Sequence, residues 1–190
     1  MFITGNAEAD KLLNEDGNAL LIGMLLDQQI PMEWAFLGPF TLRNRLGHLD
    51  PRVIADMDEE EFVTICCAKP AIHRFPASLG RRLHALCVML TADYNGNASD
   101  LWKSCPSGDD LYRRLRLLPG YGDEKAKIMI AILGKRFGIQ PEGWRDAADK
   151  FGDNVPRSVA DIHGAESLAQ VREWKKAQKA ARKDKQDRPL

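Results

Sequence analysis

In LPGYGDEKAKIMIAIL, Leu118 to Leu133, a proline and two glycines stand directly before an apolar pattern that opens on Asp123 and Glu124. One glycine and one aspartate would suffice to end one helix and cap the next. Two glycines around one aromatic, Gly120-Tyr121-Gly122, instead make a turn with little side-chain bulk, onto which something outside the chain can close. If a helix follows, its first N–H groups and its positive end meet at that turn, and the ligand this suits is a phosphate. Contact of that kind reads no base sequence. Cys66, Cys67, Cys87 and Cys105 form an adjacent pair and two distant singles, which fits neither zinc-ligand spacing nor a disulfide framework. They read as reduced thiols packed in helices.

The elements that must position the turn are helical. No stretch shows the period-2 alternation of a strand, whereas apolar residues recur at helical spacing almost throughout, so the expected fold class is all-α. Leu79, Leu83, Leu86 and Leu90 follow the Pro76 start signal on one face, and Ala126, Ile130, Leu133 and Phe137 repeat the pattern after the turn. Further helices are expected over residues 7–14, 19–29, 31–46, 58–67, 107–115 and 165–182, with breaks at Asp16-Gly17, Gly47, Pro70 and Gly96. Ala19 to Leu26 (ALLIGMLL) is apolar on every side and marks a central helix. Residues 138–164, rich in glycine, proline and charge, read as a connection to a returning C-terminal helix.

The chain of 190 residues is 44% hydrophobic, an ordinary globular composition. Its longest apolar run is too short to span a bilayer, and the amino end lacks the basic and apolar segments of a secretory signal, so no membrane partner and a cytoplasmic location are expected. With 27 basic and 27 acidic residues there is no global field, but the last twenty positions hold eight basic residues against three acidic ones. Lys175, Lys176, Lys179, Arg182 and Lys183 form either a solvated helix face or an attraction for DNA.

With these pieces in order, the chain resembles the helix-hairpin-helix (HhH-GPD) superfamily of base-excision DNA glycosylases, and within it an actinobacterial-type branch. LPGYG corresponds to that family's LPG-apolar-G hairpin, LLIGMLLDQQIP (Leu20 to Pro31) to its early central helix ending in glutamine, and KPAIHRFPASLGRRLHAL (Lys69 to Leu86) to its second DNA-facing turn and following helix. The resemblance implies a two-lobed all-α fold, with residues 18–137 as a bundle containing the hairpin and residues 1–17 with 138–190 as the second lobe. It implies a monomer that binds double-stranded DNA carrying a damaged or mismatched base. It places Gly120, Tyr121, Gly122, Lys125, Gln29, His73 and Arg74 at the DNA, with Gln29 at the wedge position that fills the gap left by a flipped nucleotide.

The chemistry implied is hydrolysis of an N-glycosidic bond, in which a carboxylate stabilises positive charge on the sugar and activates water. Bifunctional relatives add a lysine early in the second hairpin helix, which attacks the sugar. Here Glu124 occupies that position and Lys125 comes one residue later, a rotation of about 100° around the helix. This favours a monofunctional enzyme, and both residues also read as helix-start charge and an exposed lysine. The family's aspartate follows the second hairpin helix. Asp146, in GWRDAAD, is closest to the family spacing and is favoured over Asp161, whose SVADIH context fits better but requires an insertion; Glu142 and Asp149 are further carboxylates nearby. Cysteine spacing excludes the iron–sulfur cluster of some relatives. No cofactor is expected beyond a structural monovalent cation at the hairpin carbonyls. The alternatives are a non-catalytic DNA-binding member without the aspartate, and a helical interaction scaffold in which the paired glycines are incidental.

Overall fold

A computed structural model describes residues 1–186, apart from the side chains at 179 and 182–186. Eleven α-helices follow in order among the described residues: α1 (Ala7–Glu15), α2 (Gly17–Leu26), α3 (Met32–Leu46), α4 (Pro51–Asp56), α5 (Glu59–Cys67), α6 (Pro76–Tyr94), α7 (Ala98–Lys103), α8 (Gly108–Leu117), α9 (Asp123–Arg136), α10 (Trp144–Ala147) and α11 (Ala165–Gln186). Among the described residues there is no sheet, and the fold is all-α. Among the described residues no helix is long and apolar enough to cross a membrane.

Local chemistry accounts for most helix starts. Asn6, Asp16, Asp50, Asp58, Asn97 and Ser107 each accept a hydrogen bond from an N–H of the helix they precede. Pro76 opens α6 with its φ already set, and Asn95, left-handed at φ +52°, closes it. Three short helices, α4, α7 and α10, were not expected from periodicity, because four to six residues show less than two turns of pattern. A second departure is the end of α2. It stops at Leu26, and Gln29 lies beyond it in a loop with φ +55°.

Every residue from Ala19 to Leu26 is buried, as an all-apolar helix requires. Around α2 pack α1, α3, α6, α7 and α9. Its contact with α3 is close: a Cβ on Gly23 would stand 2.7 Å from the Phe36 ring. On the other side, α6 carries α4 and α5. The antiparallel pair α8–α9 presents its turn at one end, while α10 crosses the opposite end, where Gly108 and Gly134 let Trp144 approach. One buried apolar cluster runs from Ile3 to Val171 and joins helices from both parts of the chain that were expected to form separate lobes. Residues 138–164 hold α10 and two short 3-10 turns and lead into α11, which starts against the second of those turns.

Candidate functional site

The turn between α8 and α9 is held from beneath. Tyr121 is buried, its hydroxyl donates to the Leu21 carbonyl at 2.7 Å, and burial raises its pKa well above the ordinary phenol value. The expectation that Tyr121 touches DNA is therefore corrected for its side chain, which anchors the turn to α2 and leaves only backbone at the surface. Gly120 is required by the fold, having φ +80° and no room for a Cβ against Leu25. Gly122 is different. Its φ is −78°, it is exposed, and a Cβ there would meet nothing within 4 Å. No side chain caps α9, so the N–H groups of Asp123, Glu124 and Lys125 have no acceptor among the described residues. The Asp123 carboxylate turns away, accepting from the Tyr112 hydroxyl at 2.7 Å and pairing with Lys127 at 3.2 Å, which holds its pKa below the usual range.

The hairpin carbonyls expected to hold a cation are partly engaged. Leu118 O accepts the Tyr121 N–H at 3.1 Å, and Tyr121 O accepts Arg116 Nη1 at 3.0 Å. A guanidinium thus already supplies positive charge at the turn.

Lys125 is not the exposed lysine that its place in the first turn suggested. It is half-buried and its Nζ donates to the Leu25 carbonyl in the last turn of α2, a cation meeting the negative end of a helix. Burial lowers its pKa to about 8, with Asp27 opposing the shift and Arg82 adding to it. Asp27, directly after α2, is half-buried, and its carboxylate has no hydrogen-bond or ion-pair partner among the described residues. Burial raises its pKa, while Lys175 and Lys125 pull it back. Glu124 is exposed and near enough to push Asp27 further up. The C-terminal end of α2, the start of α9 and Lys175 of α11 thus converge on one unpaired carboxylate. Sequence reasoning missed Asp27, since it seeks the carboxylate after the hairpin, and Asp27 precedes the hairpin by about half of the chain.

Around this corner the other expected DNA residues differ in access. Gln29 is exposed. His73 is buried: Nδ1 accepts the Phe75 N–H at 2.9 Å and Nε2 lies 2.9 Å from the Gln28 carbonyl, so the ring is neutral with its proton on Nε2, and burial lowers its pKa. Its role is to pin the Gln28–Gln29 loop, which corrects its assignment to the DNA surface. Arg74 is exposed, with its guanidinium 5.3 Å from the exposed Phe75 ring. Arg82, which was not singled out, stands exposed beside Gly120 without an acidic partner among the described residues, whereas neighbouring Arg81 is spent on Glu60 at 2.7 Å.

Asp146 and Asp161 lie elsewhere. Asp146 is exposed on α10, with no hydrogen-bonded or ionic partner among the described residues. Asp161 is taken: Lys135 Nζ lies 2.6 Å from one oxygen, and the Arg157 and Ser158 N–H groups lie 2.9 and 3.0 Å from the other. Asp149 bridges to Lys127 at 3.1 Å, and Glu142 is exposed. Cys66 and Cys87 are buried, with thiols pushed up to about 12, and all four cysteines are free. Arg172 pairs with Glu33 of α3, and Lys175 and Lys176 are exposed; the side chains of Lys179, Arg182 and Lys183 lie outside the described residues. Comparisons with protein families, curated proteins and solved structures find no match to this chain.

Proposed function

We propose that this protein binds duplex DNA through the Gly120–Gly122 turn and excises a base by hydrolysis, with Asp27 as the working carboxylate. The observation that carries the reading is the meeting, at one corner, of unpaired helix-start amides and an unpaired half-buried carboxylate. The amides and Arg82 suit DNA phosphates, and the open space at Gly122 lets a backbone approach that a side chain would obstruct. A nucleotide rotated out of the stack would bring its sugar to Asp27. There the carboxylate stabilises positive charge at C1′ and takes a proton from water; the water oxygen bonds to C1′ as the C1′–N bond breaks, and the base leaves with the bonding pair and is protonated. Lys125 keeps a positive charge beside Asp27 and favours its ionised form.

A second reading has its own support. Asp146 stands exposed on α10 and Asp161 is held by Lys135, as in a DNA-binding protein that has lost the aspartate following the hairpin helix. A panel of duplexes carrying alkylated, oxidised, deaminated and mismatched bases separates the two. Base release that Asp27→Asn abolishes without loss of binding supports the enzyme; binding without release from any duplex supports the second reading. Failure to bind any duplex rejects both.

A further inference from the structure

Between the last turn of α9, α10 and the start of α11 lies a polar depression of about 390 Å³ that the reaction above does not use. Its wall carries Lys135, Arg136 and Arg145 against one carboxylate, Asp161, with His163 beside it. Lys135 and Asp161 cancel each other's charge at 2.6 Å, with side chains only 10% and 9% exposed, and Lys135 also donates to the Asp153 carbonyl. Two permanent charges are left. Arg145 stacks over the Trp144 ring at 4.6 Å and spends Nη1 on the Gly152 carbonyl at 2.9 Å. Arg136 has no acceptor among the described residues, and its Nε is buried, so a donor of a guanidinium fork is withdrawn from water without a partner.

Arg136 lines the depression, so the rest of that fork is open to an acceptor from outside the chain. Two unbalanced guanidinium charges match a dianion, and a phosphate monoester carries about −1.5 to −2 at neutral pH with oxygens spaced for bidentate contact. We propose that this depression binds a phosphate group through Arg136 and Arg145, presented by a small phosphorylated molecule or by a DNA strand. The inference is independent of the hairpin reading. The fourteen residues of α9 separate the two places by about 20 Å, so one phosphate cannot serve both.

Inorganic phosphate titrated into arginine-15N-labelled protein, at ionic strength held constant with sodium chloride, tests this. The Arg136 Nε–H resonance should move saturably with phosphate and not with chloride, and phosphate should raise the Tm. Arg136→Gln and Arg145→Gln, each checked for folding by circular dichroism, should weaken binding at least tenfold. If one variant fails to fold, the other and the wild-type titration decide. A nucleoside 5′-monophosphate binding more tightly than phosphate assigns a small ligand, whereas an undamaged duplex displacing phosphate assigns a strand. If neither occurs, free phosphate is the ligand. A shift that never saturates, that chloride reproduces, or that survives in both variants overturns the site and leaves water, or an adventitious ion only, as the partner of Arg136.

Discussion

At the scale of single residues, Asp27 and Lys125 are a matched conflict. Each charge favours the other, yet burial outweighs the attraction on both sides, raising the acid and lowering the base. The sign of the consequence follows. For Asp27, a folded pKa above the ordinary 3.8 means that the native state resists ionisation, so stability falls as pH rises through the folded value. Asp27→Asn should therefore raise the Tm at neutral pH, by about 2–4 °C for each kcal/mol of relief. The same change should lower base release on the order of 10² to 10³-fold. A variant that loses stability, or keeps full activity, counts against Asp27 as the working carboxylate and returns attention to Asp146. For Lys125 the native state releases its proton near 8 and the unfolded chain near 10.5, so between these values the unfolded state binds more protons and stability rises with pH. Urea unfolding across that window should show the rise in the native protein and a flatter profile in Lys125→Met. The charge on Lys125 was legible in the sequence, but its burial was not, because its acceptor, Leu25, lies a hundred residues away.

At the scale of elements, the two glycines of the turn separate into different causes. Gly120 is there for the fold, and Gly120→Ala should destabilise the protein by about 1–3 kcal/mol in thermal or denaturant unfolding, since it combines a left-handed φ with a clash against Leu25. Gly122 has no such internal reason. Gly122→Val should leave stability close to native while weakening binding of every duplex alike, by roughly tenfold, about 1.4 kcal/mol. Anisotropy titrations with two unrelated sequences measure this, and equal affinity in the folded variant would remove the phosphate argument. The turn was readable because glycine spacing is local, and the α2 core helix was readable because eight consecutive apolar residues leave it no solvated face. What escaped was set by distant contacts. His73 reads as a basic surface residue until its ring is seen holding the Gln28 carbonyl, and Asp161 reads as a catalytic candidate until Lys135 is found on it. Helices α4, α7 and α10 escaped for a simpler reason, being too short to carry a period.

At the scale of the whole molecule, a net charge of zero conceals a separation. The amino-terminal turns of several helices carry acids, while exposed cations gather at Arg74, Arg82 and along α11, around the corner that holds Asp27. The helix α11 touches this corner twice, through the Arg172 pair with Glu33 and through the charge of Lys175 on Asp27. Among the described residues the last fully buried one of this helix is Val171, so truncation after Glu173 keeps that core contact and retains Arg172. Two effects should follow. Loss of Lys175, Lys176 and the basic residues beyond them should flatten the dependence of duplex affinity on salt, by about 0.9 in the slope of log K against log salt for each phosphate contact removed. Loss of Lys175 also takes away the larger of the two cationic influences that hold the Asp27 pKa down, so that pKa should rise further and the acid limb of base release should move to higher pH. Because these are separate measurements, they assign separate roles. A flattened slope with an unmoved acid limb makes α11 an arm for DNA and nothing more. A moved limb with an unchanged slope makes Lys175 a tuning charge on Asp27, and no change in either returns the basic helix to a solvated surface.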